Sequence, residues 1–418
     1  MIRGAYTVLL YLSLPLVLLR LFWRSLKAPG YRRRWRERLG IFTAPPGWGG
    51  LWIHAVSVGE VQAVVPLIHE LLRRDPRLPI TVTTTTPTGS ARVREQLGDQ
   101  VFHVYFPYDL PLSLTGFIRR VRPRMLLMVE TEIWPNLLHL CRRVGIYTLL
   151  ANARLSEKSA RRYARVAGFT RDTFAQIDCV AAQSDADAAR FRALGLPAER
   201  VRVTGSIKFD LRIPASLEVQ VEVLRRDWGG RPVWVAGSTH EGEDELILFA
   251  HRRVLSRFPE ALLILVPRHP ERFERVAALV RRERLRLARR SRPGEYNAQA
   301  QVYLGDTMGE LPMLLGSADV AFIGGSLVKK GGHNMLEAAA RGVPTCFGPH
   351  VFNFAAVSQI LIEAGAAVQV ADASVLAAQV ISWLEDASRR AEVGEKGRRV
   401  VERNRGALGR LLALIPPM

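Results

Sequence analysis

Glu60 is the carboxylate best placed to take a proton. It closes the stretch His54-Ala55-Val56-Ser57-Val58-Gly59-Glu60, in which an apolar strand turns through glycine into a helix. A carboxylate delivered to the first helical turn after a buried strand faces the crevice where parallel sheets bind their ligands. The same position has a purely structural use, because an acidic residue there complements the helix dipole. That dipole lowers a carboxylate pKa, so burial must offset it if Glu60 is to act as a base near neutral pH.

Other strand ends carry similar groups. Glu130 and Glu132 follow an apolar run in Glu130-Thr131-Glu132-Ile133-Trp134-Pro135-Asn136, where two carboxylates beside a tryptophan cost stability unless solvated or used. Thr88, Asn136 and Ser156 begin helical segments, and capping explains each without a substrate. In the second half, Gly237-Ser238-Thr239-His240-Glu241-Gly242-Glu243 offers Ser238 or Thr239 as a cap with donors aimed at an anion. Arg268 in Val266-Pro267-Arg268-His269-Pro270 suits a phosphate, whereas His269 reads as a packed or capping imidazole. Residues 324–337, GGSLVKKGGHNMLE, form a glycine-rich turn between a buried strand and a helix, whose amides can cradle a phosphate. Within it, Asn334 and Glu337 have the spacing of a capping box, and Glu337 also suits a ribose hydroxyl. Asp185-Ala186-Asp187 matches a metal-chelating triplet, but it follows Ser184 at a helix start, where acidic residues are expected on dipole grounds. No other cluster suggests a metal.

These segments need strands to deliver them. Buried runs are predicted at residues 51–58, 80–85, 101–106, 125–129, 147–151, 179–182 and 201–203, then at 233–236, 261–266, 301–303, 320–323 and 345–347, with helical patterns between them. One helix follows residue 60, with Pro66 predicting a kink. Alternation of this kind implies parallel sheets covered on both faces. Polar, irregular residues 210–230 separate the two series, and 418 residues suffice for two cores. The expected organisation is a membrane segment at 1–25 and doubly wound α/β domains at 26–212 and 213–418, facing a cleft.

Charge and hydropathy narrow the setting. The excess of 59 basic over 39 acidic residues, +20 formally, demands an anionic partner. Residues 5–23 are almost wholly apolar with one charge, Arg20, and are followed at once by Arg24, Lys27, Arg32, Arg33, Arg34, Arg36 and Arg38. An apolar segment with a basic collar on its C-terminal side indicates a membrane anchor with the body on the cytoplasmic side, whether the segment spans or lies in the interface. No small-residue cleavage site follows it, which argues against a signal peptide. Cys141, Cys179 and Cys346 have no paired spacing, so neither disulfides nor zinc are expected. No nucleic-acid module is recognisable.

Taken in order, HAVSVGE, TTTTPTG, ETEIWPN, NARLSEKS, GSIKFD, GSTHEGE, VPRHPER, GDTMGELP, GGSLVKKGGHNMLE and GPHVFNF resemble the successive motifs of the Kdo (3-deoxy-D-manno-octulosonic acid) transferase family across nearly the whole chain. The resemblance implies a GT-B fold of two Rossmann-like domains. It also implies an inverting transferase that moves Kdo from CMP-Kdo to a lipid A precursor at the cytoplasmic face of the inner membrane, beside phospholipid and without nucleic acid. Glu60 would be the general base. Arg268, Asn334 and Glu337 would hold CMP, with Ser326, Lys329 and Lys330 at the phosphate, Met308 and Gly309 beside the base, and Lys208 at the phosphate or carboxylate of the donor. No cofactor or metal is implied. Met335 and Ala338 stand where the family pattern has proline, and Val56 where alanine is common. The competing readings are another membrane-associated GT-B enzyme using a UDP-sugar, an epimerase of the same architecture, or a basic membrane-binding protein without activity.

Overall fold

A computed structural model describes every residue except Met1, Ala28, Trp48, Arg212, Ile213, Pro293, Glu295, Asn297 and Met418. The chain divides into two compact units, the first comprising Met1–Lys208 with Arg405–Met418 and the second Phe209–Asn404. The expected boundary at 212/213 falls on residues outside those described. The other end of the second domain is corrected: residues 405–418 belong to the first unit. In the helix Ala407–Leu412, the apolar residues Ala407, Leu408, Leu411 and Leu412 lie on one face and join the first unit's core, and Arg410 donates to Thr204 O at 2.8 Å.

The first unit opens with helix α1 (Ile2–Lys27), long and apolar enough to cross a membrane. Its sheet contains β1 (Leu51–His54), β2 (Ile80–Thr84), β3 (Phe102–Tyr105), β4 (Met125–Val129), β5 (Tyr147–Ala153), β6 (Cys179–Ala182) and β7 (Val201–Val203). The strands run parallel in the order β3-β2-β1-β4-β5-β6-β7. Both faces are covered, so alternate residues of one strand enter different cores: Leu51 and Ile53 pack on one side, Trp52 on the other. The helices bordering the site are α2 (Val58–Arg74), α3 (Pro87–Leu97), α4 (Pro111–Val121) and α5 (Pro135–Val144). Helix α2 is continuous through Pro66.

The second unit repeats the plan with β8 (Val233–Thr239), β9 (Leu262–Pro267), β10 (Leu287–Arg289), β11 (Val302–Leu304), β12 (Val320–Ile323), β13 (Thr345–Phe347) and β14 (Ala367–Gln369), in the order β10-β11-β9-β8-β12-β13-β14. β10 and β14 were not expected. Both are short edge strands that end in a polar residue, Arg289 and Gln369, and so show no continuous apolar run in the sequence. In each sheet the connections reverse direction between two central neighbours, β1 and β4 in one and β8 and β12 in the other. Such reversals open a crevice at the carboxyl ends of the strands.

Candidate active site

At the reversal point of the first unit, β1 and β4 lie in register from Leu51↔Met125 to His54↔Met128, so the segments that leave them emerge side by side. Ser57 caps α2, and Glu60 occupies its first turn. The Glu60 carboxylate is buried; its Oε2 accepts the Val56 amide at 2.8 Å and its Oε1 accepts the Ser57 hydroxyl at 2.7 Å. Burial raises its pKa from 4.5 to about 7, against the bonds from Ser57 and Val56 and the charge of Lys208, with Glu130 pushing the same way as burial. Burial therefore wins the opposition anticipated from the helix dipole.

Glu130 sits immediately after β4 with φ +61°, a left-handed conformation unusual for a side-chain-bearing residue, and its Oε1 pairs with Lys208 Nζ at 2.8 Å. Glu132 is also raised to about 7, by burial first and then by Glu60, while Trp134 Nε1 donates to its Oε2 at 2.9 Å. Beside it, His54 is fully buried and stacked on Phe106 with ring centroids 3.8 Å apart; burial lowers its pKa to about 3, so it forms a neutral wall. Three carboxyls and one ammonium thus converge, two of the carboxyls poised to exchange protons near neutrality.

The neighbouring polar residues are structural. Thr86, not Thr88, caps α3, and Ser156 caps the helix Glu157–Ala164. Asn136 is not a cap: its amide donates to Asp109 Oδ2 at 3.0 Å and its side chain to Asp109 O at 2.8 Å. Asp187 exchanges bonds with Ser184 and accepts the Leu155 amide at 2.9 Å, which accounts for the acidic triplet without a metal. Among the described residues no group of three or more His, Cys, Asp or Glu side chains could hold a metal, and the three cysteines are buried and unpaired.

At the reversal point of the second unit, the glycine turn after β12 is organised differently from the sequence expectation. Glu243, fully buried, accepts the amides of Gly325 at 2.7 Å, Ser326 at 3.1 Å and Leu327 at 2.9 Å, together with that of His240 at 3.1 Å. A carboxylate of the protein therefore fills the amide cradle expected for phosphate. Ser326 is corrected with it: wholly buried, its hydroxyl donates to Ile323 O and accepts the Gly348 amide at 2.8 Å. Neither Ser238 nor Thr239 caps the following helix, Asp244–Arg257; Glu243 stands at its start, and Thr239 instead bonds Asp244 at 2.6 Å.

The cationic and imidazole groups around this turn do assemble. His240 Nε2 lies 2.8 Å from His333 Nε2 with the rings stacked, and His269 approaches His240 edge-on at 5.3 Å between centroids. Burial lowers His240 to about 4, helped by His269, Lys330, Arg272 and Arg268, and lowers His333 to about 3, helped by His240 and Arg268. This histidine pair escaped sequence reading; its only signal is one histidine directly after β8 and another at the far end of the glycine-rich segment that follows β12. Asn334 Nδ2 donates to Glu337 Oε1 at 3.2 Å and its Oδ1 accepts the Leu336 amide at 3.1 Å. Met335 precedes a helix of only four residues, so no capping box forms. Burial raises the Glu337 pKa, against Asn334, Arg341 and Arg268. Lys329 and Lys330 are exposed on the turn. Met308 is 59% exposed and Gly309 has φ +83°, on a loop held at both ends where Asp306 pairs with Arg289 and Glu310 with Arg290.

Comparison with known proteins separates the two units in the same way. Residues 33–211 match the family model described as 3-deoxy-D-manno-octulosonic-acid transferase (kdotransferase), and residues 232–400 match glycosyl transferases group 1. The 3-deoxy-D-manno-octulosonic acid transferase of Haemophilus influenzae is 45% identical over 99% of this chain and 98% of its own. That of Bordetella pertussis is 38% identical over 98% of each. The UDP-GlcNAc 2-epimerase of Neisseria meningitidis shares the fold, with a TM-score of 0.56 at 13% identity over 87% of this chain and 98% of the other.

Proposed function

The chain belongs to the 3-deoxy-D-manno-octulosonic acid transferase family, and on that premise we propose that it transfers Kdo from CMP-Kdo to a lipid A precursor during lipopolysaccharide core synthesis. It is a glycosyltransferase with two Rossmann-like units. The observation that carries the mechanism is the buried Glu60 carboxylate, held by Ser57 and Val56 with a pKa of about 7. A base of that strength is half ionised at neutral pH and takes a proton without being too weak to hold it.

In this reading the first unit receives the acceptor and the second the donor. Glu60 removes the proton from the acceptor hydroxyl as its oxygen bonds the anomeric carbon of Kdo. The bond from that carbon to the CMP phosphate oxygen breaks on the opposite face, CMP leaves with the electron pair, and the configuration inverts. Lys208, paired with Glu130 beside Glu60, keeps the base from rising further and presents an ammonium to the Kdo carboxylate. Arg268 and Lys330, with Lys329 on the same turn, carry the positive charge for the leaving phosphate, while Asn334, Glu337, Met308 and Gly309 hold the nucleoside. Side-chain cations then replace a metal in stabilising the departing charge. Helix α1 and the basic collar keep the enzyme on the cytoplasmic face of the inner membrane, where the lipid acceptor lies.

The test is transfer from freshly generated CMP-Kdo to a lipid A precursor, followed by product mass, for wild type and Glu60→Gln, with and without a chelator. Metal-independent transfer that disappears in the variant while CMP still binds supports the whole reading. A folded wild type that makes no product refutes the donor and acceptor assignment.

A further inference from the structure

We propose that α1 lies in the plane of the membrane, with one face docked on the first unit and the other in the lipid of an anionic leaflet, so that its N-terminus stays on the same side as the catalytic units. The inference rests on the membrane attachment proposed above and adds its topology.

The partly covered positions of α1 recur three and four apart along its whole length. Arg3, Tyr6, Thr7, Ser13 and Ser25 all fall on this stripe, with Leu10, Leu14, Leu18 and Leu21 between them. The polar end of the stripe is bonded to the body. Tyr6 Oη donates to Asp109 Oδ2 at 3.0 Å, and Thr7 Oγ1 and Arg3 reach Asn136 Oδ1 at 2.9 and 3.3 Å. The tether is built: Asp109 is buried and also accepts the amides of Asn136 and Leu137, at 3.0 and 2.8 Å.

The other end of α1 is held on the same unit. Arg32 Nε donates to the buried Ser25 Oγ at 3.0 Å, and the Arg32 guanidinium lies over the Phe22 ring. Gly30, in the short 3-10 turn that follows, is packed so closely on the first residue of α3 that a Cβ would stand 2.9 Å from that of Pro87. A helix of 26 residues is about 39 Å long at 1.5 Å per residue. Crossing a hydrocarbon core of about 30 Å would carry one end to the far side and break one of these two attachments.

The opposite face supplies the lipid contact. Leu9, Leu12, Leu16, Leu19, Phe22 and Trp23 are exposed, Leu12 by 72% and Trp23 by 73%. Exposed Arg20, Arg24, Arg33 and Arg36 accompany them. An apolar face bordered by arginine is the pattern of a helix that lies in the interface and is drawn to anionic headgroups. Because Asn136 belongs to α5, whose first residue is three positions beyond Glu132, the docked helix brings the leaflet to the segment that carries the acceptor-side carboxylates. The lipid acceptor then reaches them sideways from the leaflet.

The experiment places a single cysteine in a short Gly/Ser extension ahead of Met1 and, separately, at Gln100→Cys on the exposed surface of the first unit. The three native cysteines are buried. Inner-membrane vesicles of both orientations are treated with a membrane-impermeant maleimide, with labelling in detergent as the measure of full reactivity and Kdo transfer as the measure of folding. Labelling of both cysteines in inside-out vesicles and of neither in right-side-out vesicles is expected. Labelling of the extension only in right-side-out vesicles, or from neither side, overturns the in-plane topology while leaving attachment intact. Recovery of the active chain in the soluble fraction overturns attachment and the inference together.

Discussion

Ser57 and Glu60 hold each other: the Ser57 hydroxyl donates to Glu60 Oε1 at 2.7 Å while the Glu60 amide returns to Ser57 Oγ at 3.4 Å. The residue that caps α2 is therefore also the principal restraint on the pKa of Glu60. Ser57→Ala should cost about 0.5–2 kcal/mol as a lost cap. It should also move the acid limb of the pH–rate profile to higher pH, because the main contribution opposing burial is gone. A thermal melt and a profile of kcat/KM between pH 5 and 9 measure the two effects; an unmoved limb would show that Ser57 only caps.

In the wild type, transfer should rise with pH through about 7 and level off above about 8, falling tenfold per pH unit on the acid side, because only ionised Glu60 accepts a proton. Glu132 is raised to the same range and lies within reach of the Glu60 charge, so the limb belongs to the pair. Glu132→Gln should therefore shift the limb to lower pH.

Glu60→Gln should lose transfer by roughly 10²–10⁴-fold, the usual contribution of a positioned base, yet gain stability in alkali. The folded carboxyl has its pKa raised from 4.5 to about 7. The folded chain thus holds this proton more tightly than the unfolded chain, and that contribution, complete below about pH 4.5, is lost as pH rises through 7. Removing the charge should recover about 3 kcal/mol near pH 8 and much less at pH 5. Denaturant melts at the two pH values test the sign.

Lys208→Met should leave Glu130 without its 2.8 Å partner and remove a charge that lowers the Glu60 pKa. Transfer at pH 7 should fall, and the acid limb should move upward. Glu130→Gln alone should move it downward, and the double variant should bring it back towards wild type. A limb that neither single variant moves would argue that the pair does not act through Glu60.

Glu243→Ala should strip the acceptor from four amides of the second unit at once, three of them in the glycine turn. Leaving buried donors unsatisfied costs about 1–3 kcal/mol for each uncompensated group, so a large loss of stability is expected, with CMP binding weakened through the turn. Glu243→Gln, which keeps one acceptor oxygen, should fall between. Calorimetric melting and titration with CMP separate the two effects.

Much of this molecule is legible in residue order. Continuous apolar runs such as Met125–Val129 announce parallel strands because both faces of the sheet are covered, and Glu60 is found because it lies in the first turn of the helix that follows a buried strand. The N-terminal helix and its arginines are equally plain, since composition alone makes them. What sequence could not supply were contacts between residues far apart in the chain. Glu243 and Gly325 are 82 positions apart, His240 and His333 are 93, and Tyr6 and Asp109 are 103, and each pair is joined by strands that meet side by side or by a helix laid across the fold. Local pattern carries periodicity and capping, which depend on neighbours within a turn. Which carboxylate fills an amide cradle, which acids are buried enough to titrate near neutrality, and which face of a helix is docked depend on tertiary burial, and the folded structure alone decided them.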